Sequence, residues 1–105
     1  MRSEIRAEFV TALRANHGRQ CRGHEKEGKH VCAFGLLGEM YCEATGDLDG
    51  FISSEGDPGT AFVKNREALM RWCGLSTAEL CTLLHLNDTD ERSFSQIADV
   101  VGAWQ

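Results

Sequence analysis

The 105-residue chain has no run of 18 or more apolar residues, so nothing in it reads as a membrane-spanning helix. It shows no charged-then-apolar leader at its start, and the expectation is a cytoplasmic protein. Five cysteines make an odd count in such a chain. That argues against a disulfide framework and for reduced thiols serving as core, metal ligand or nucleophile. Internal repeats, low-complexity segments and a dividing linker are all missing, so residues 1–105 read as a single domain. Also missing are Walker and Rossmann glycine patterns, paired carboxylates in a catalytic frame, and a complete nucleophile–base motif.

Base is absent from one long stretch: residues 31–63 hold six acids and no Lys or Arg, a local charge of −6. Residues 1–30 hold seven Lys/Arg against four Glu, giving +3, together with three of the four histidines. The electropositive part is thus Arg14 to Lys29, which could meet a phosphate or an acidic partner; elsewhere the chain would repel a nucleic-acid backbone.

What is present is mainly helical periodicity. Ile5, Phe9, Ala12 and Leu13 share one face, which predicts a helix from Ser3, its expected cap, to about Ala15. Gly18 to His30 is polar and glycine-punctuated, and reads as a long irregular loop. Ala33, Leu36, Leu37, Met40, Tyr41 and Ala44 form a second stripe, and its Gly35 and Gly38 are best justified by close packing against a neighbour. Phe51-Ile52 and Ala61-Phe62-Val63 flank a Gly/Pro/Ser-rich turn, which predicts a small β-hairpin near residues 50–63. Asn65 caps a helix ended by Gly74; Ser76 with Glu79 and Ser93 with Gln96 form two capping boxes, the first helix stopping near Asn87-Asp88. The expected fold is mainly α, with α+β as the alternative: four to five helices in one compact domain. Its core is built from Phe9, Leu13, Leu37, Tyr41, Leu69, Trp72, Leu80, Leu83, Leu84, Phe94 and Ile97. The last two helices are expected to pack as an antiparallel pair. Their helix-turn-helix outline lacks the bases a DNA reader needs, since the would-be reading helix offers Ser95, Gln96 and Asp99.

The series Trp72, Gly74-Leu75-Ser76, Leu83, Leu86-Asn87-Asp88, Ser93-Phe94 and Ile97-Ala98-Asp99 resembles a family of small uncharacterised phage, prophage and bacterial proteins. In that family a loop with Gln, Arg and Gly precedes a Cys- and Gly-containing helix, similar to Gln20, Arg22, Gly23 and Cys32-Ala33-Phe34-Gly35-Leu36-Leu37 here. The chain departs from the pattern at Ala33, where the family commonly has a second adjacent Cys, and His24, His30 and His85 fall outside it. The resemblance implies a setting, a phage protein acting on a host process, and no activity.

Four chemistries are open to these residues. Cys21, His24, His30 and Cys32 are four ligands of the kind zinc takes. Cys32, at a helix start, could be a nucleophile served by His85 or a loop histidine and oriented by Asn87 or Asp88; the plainer reading is a core thiol. Nucleic-acid binding is disfavoured by charge. Arg19, Arg22, Lys26 and Lys29, with the loop glycines and the amides of the following helix, could hold an anion. The expected ligand-binding set is Arg19, Gln20, Arg22, Gly23, Lys29, Cys32, Asn87 and Asp88, with no catalytic residue, metal or cofactor assigned. The expected function is non-enzymatic: sequestering an anionic, nucleotide-like small molecule or blocking a host protein, as counter-defence in the setting the resemblance implies. A Cys32-dependent enzyme and a zinc-stabilised interaction module are the alternatives, and a homo-oligomer is left open.

Overall fold

A computed structural model describes residues 1–47, 49–57 and 59–104. Where the sequence carries cap residues, helices begin as expected. Ser76 and Ser93 accept from the backbone N–H of Glu79 (3.1 Å) and Gln96 (3.2 Å), and both partners return the bond, starting α4 (Thr77–Leu84) and α5 (Phe94–Gly102). Asn65 caps α3 (Arg66–Cys73) through the Ala68 N–H, and Gly74 ends it in the left-handed region at φ 67°. The first helix, α1 (Ser3–Ala15), differs. Its cap position is Arg2 rather than Ser3, with no side-chain cap; instead the Arg2 N–H donates to Cys73 O at 2.8 Å and the Met1 ammonium meets Glu79 at 3.2 Å, so tertiary contacts hold the helix start.

The stretch read as an irregular loop is more ordered than its composition suggests. A 3₁₀ turn (His17–Arg19) leads into β1 (Lys26–Glu27) and β2 (His30–Val31), which join β3 (Phe51–Ser53) and β4 (Thr60–Val63) in one antiparallel sheet of order β2-β1-β4-β3. The expected hairpin is therefore half of a four-stranded sheet. Its register pairs Phe51 with Val63, Ile52 with Phe62 and Ser53 with Ala61; Pro58 of the turn lies outside the described residues. β1 then pairs across to β4, Lys26 with Ala61 and Glu27 with Thr60. Two-residue strands carry no period of their own, and only this long-range pairing defines them.

The second long helix, α2 (Ala33–Thr45), runs through the middle, with every residue from Ala33 to Gly38 buried. Its two glycines are close-packing sites. A Cβ on Gly35 would lie 1.8 Å from Glu25 O, and one on Gly38 would lie 2.9 Å from Val63 Cγ2 and 3.0 Å from the Phe51 ring. Of the expected core, Phe9, Leu13, Leu37, Leu69, Leu80, Leu83, Phe94 and Ile97 are buried. Tyr41, Trp72 and Leu84 pack half-buried at its margin, the first two edge-to-face with ring centroids 5.6 Å apart. Val31, Phe34, Ala98 and Val101 join the same cluster. The fold is thus mainly α with a small antiparallel sheet. One pairing is corrected: α5 makes its main contact with α1, reinforced by Arg14–Asp99 at 2.7 Å, and not with α4. α4 instead continues into a π-helical turn (His85–Thr89), which aims Asn87 inward.

Candidate functional site

Of the residues expected to bind a ligand, Gln20, Arg22, Gly23, Asn87 and Asp88 converge, and they bond to one another or to the turn before α5, whereas Arg19 and Lys29 lie elsewhere. Asn87 is fully buried between the polar loop and the start of α2. Its Oδ1 accepts from Gln20 Nε2 at 2.9 Å and from the Ala33 N–H at 3.2 Å; its Nδ2 donates to Cys21 O at 2.9 Å and to Asp88 Oδ1 at 2.8 Å. Gln20 reaches further, donating to Arg92 O at 2.7 Å and accepting from the Phe94 N–H at 3.0 Å. Asp88 Oδ1 also takes the Gly23 N–H at 3.0 Å, and Arg22 donates to Glu91 O and Arg92 O at 2.9 and 3.2 Å. Among the described residues no buried side-chain polar atom is left without a partner. Gln20, Arg22, Gly23, Asn87 and Asp88 therefore form a latch that fastens the loop to the turn before α5.

That latch also fixes an unusual backbone. Glu91 has φ 51°, a left-handed conformation that costs a non-glycine residue about 1 kcal/mol, and its carbonyl is one that Arg22 holds.

The remaining cations of the loop are mostly engaged within the chain. Arg19 donates Nε to Lys29 O, one terminal nitrogen to Asn16 Oδ1 and Glu39 Oε1, and the other to Glu39 Oε2 at 2.8 Å. Lys26 Nζ reaches the same carboxylate at 2.9 Å and sits 5.1 Å above the Phe51 ring. Burial opposes the charge on Glu39, but hydrogen bonds from Arg19 and Lys26, and their charges, outweigh it and hold the carboxyl below its usual range. Lys29 stands apart, exposed on the tight turn between β1 and β2. The amides that would cradle an anion at the start of α2 are likewise occupied, Ala33 N–H by Asn87 and Gly35 N–H by Cys32 Sγ at 3.3 Å. No cavity opens among the described residues.

Cys32 is the N-cap of α2 and 1% exposed. Burial pushes its thiol up to about 12, beyond what the Gly35 and Phe34 amides recover, so the helix start does not make it a nucleophile. His85, its proposed base, lies exposed on the π-helical turn beside Asp90 at 3.3 Å, and Asn87 orients backbone rather than imidazole. The zinc arrangement fares no better. Cys21 Sγ donates to His24 O at 3.4 Å, His24 Nε2 faces Asp57 at 3.6 Å, and among the described residues no three His, Cys, Asp or Glu side chains gather around one point. The polar side of α5 is taken up partly by Arg14, which reaches Ser95 and Asp99.

Two features were not legible in the sequence. Glu39, on α2 but outside its apolar stripe, is the anchor for two loop cations 20 and 13 residues before it. Glu25, an acid inside the basic loop, substitutes for a strand: its Oε1 takes the Val63 N–H at 2.8 Å and its Oε2 meets Arg66 at 2.9 Å. Neither role leaves a local signal, because both partners are set by the sheet.

On the outer surface the exposed large apolar side chains are few. Ile52 and Phe62, directly opposed across β3 and β4, are each 41% exposed; Val100 on α5 is 37% exposed. Asp47, Asp49 and Glu55 stand exposed along the same hairpin. No helix among the described residues is long and apolar enough to cross a membrane. Comparison with family models, curated proteins and solved structures returns no match to this chain.

Proposed function

We propose that the chain is a small non-enzymatic binding protein that works through its surface, blocking a host protein rather than sequestering a small anion. The observation that carries this reading is the cross-strand pair Ile52 and Phe62, two large apolar side chains held side by side toward solvent on the outer sheet face. A rigid sheet presents such a pair at little entropic cost, which suits an anchor for a partner. The alternative anion site loses its main support, since Arg19, Arg22 and Lys26 already serve carboxylate and carbonyl oxygens of the chain itself. In the phage setting that the resemblance implies, the blocked protein would belong to a host process such as defence.

Native mass spectrometry of protein purified gently from bacterial cells tests this. The reading predicts a complex heavier by a whole protein chain, absent when Ile52 and Phe62 are both changed to Asp. A retained nucleotide-sized anion would contradict it, and so would a chain with no bound protein.

A further inference from the structure

Resting on that surface-binding reading, we infer that the partner adds a strand to the open edge of β3, and that this strand is basic. β3 is the last strand of the sheet, and no strand among the described residues covers its outer side. The ladder's phase is fixed by two bonds, Lys64 N–H to Gly50 O at 2.8 Å and Ser54 N–H to Thr60 O at 2.9 Å. Residues 50, 52 and 54 therefore turn their backbone groups toward β4. The N–H and C=O of Phe51 and Ser53 point the other way, toward the open side. The opposite edge of the sheet is closed by comparison, because Gln20 bridges Val31 and the Cys21 N–H donates to Val31 O at 2.9 Å. One edge alone thus offers a template for another chain.

Charge selects the occupant. From residue 46 to residue 60 the chain holds Asp47, Asp49, Glu55 and Asp57 and no Lys or Arg. Lys26, on β1, is turned to the inner face and held by Glu39, and the exposed Lys64, opposite Gly50 at the end of the ladder, is a single base against these four acids. A second copy of this chain pairing antiparallel about Ile52 would set Asp49 against Glu55 and Asp47 against Asp57, each twice, and like charges opposed across strands are destabilising. A strand alternating apolar and basic residues reverses that sign and lays its apolar side chains beside Ile52, extending the outer-face apolar row that Ile52 forms with Phe62.

The test is a titration of the isotope-labelled full chain with a short synthetic peptide alternating valine and lysine, followed by amide NMR. The Phe51 and Ser53 amide protons should shift downfield and become slow to exchange with solvent. The same peptide with glutamate for lysine, or with N-methylated backbone amides, should not bind. Ser53→Pro removes the outward N–H without breaking a bond to β4, and it should weaken peptide binding about tenfold or more while amide spectra confirm the fold. Absence of peptide binding, unchanged Phe51 and Ser53 amides, equal binding of the acidic peptide, or full affinity in Ser53→Pro would each overturn the inference. A protein partner retained by Ser53→Pro but lost from the Ile52→Asp/Phe62→Asp chain would overturn strand addition and leave the surface reading standing. Retention by both would remove that reading as well.

Discussion

Gln20 donates its amide proton to Asn87 Oδ1 at 2.9 Å across 67 residues of sequence, and the second of these side chains has no exposure to solvent. This bond ties the polar loop to the turn before α5. Asn87 simultaneously serves Ala33, at the start of α2, so one side chain fixes the mutual position of three segments.

Replacing Asn87 by Leu should therefore be severe. The substitution keeps the size but leaves the buried Ala33 N–H and the half-buried Cys21 O without partners, at a cost on the order of 3 kcal/mol. Urea unfolding monitored by circular dichroism checks this. Arg22→Ala, whose side chain is exposed, should cost only about 1 kcal/mol by the same measurement.

Cys32 should resist alkylation at neutral pH while the exposed Cys81 reacts first, as read by mass spectrometry of the modified chain. Because the folded thiol is raised, the folded state keeps its proton where the unfolded chain releases it. This contribution to stability is complete below the ordinary thiol value near 9 and is lost as pH rises from there through about 12. Cys21, Cys42 and Cys73 shift in the same direction, each chiefly by burial, and add to the loss. Thermal unfolding across alkaline pH should show a falling midpoint, shallower in Cys32→Ser.

Glu39 makes the opposite prediction. Its carboxyl is held below its ordinary value of 4.5, so its contribution is present above that value and disappears as pH falls through the lowered one. Glu39→Gln should cost about 1 kcal/mol at neutral pH, since the three groups are only partly buried, and it should flatten acid destabilisation below pH 4.5. Urea titrations at neutral and acid pH give both numbers.

The parts of this fold legible in sequence are those with local causes. Ser76, Ser93 and Asn65 act on amides three residues away, and Gly35 and Gly38 stand out because nothing but close approach justifies them in a buried helix. Charge misled where pairing is non-local: Arg19 and Lys26 count toward a positive loop until the fold brings Glu39 beneath them. The resemblance carries Gln20, Arg22, Gly23, Asn87 and Asp88 together, but a motif cannot distinguish side chains that hold a ligand from side chains that hold each other. Nor does the helical stripe of the fourth helix reveal that its last turn widens and carries Asn87 into the interior.

The most direct test separates the latch from the outer sheet face in one comparison. The wild-type chain, Arg22→Ala and Ile52→Asp/Phe62→Asp are each used to capture partners from bacterial lysate, at a temperature where all three are folded by circular dichroism. The account predicts that Arg22→Ala retains the partner taken by the wild type and that the sheet-face variant loses it. Loss in Arg22→Ala with retention in the sheet-face variant would contradict the account and return the binding site to the loop.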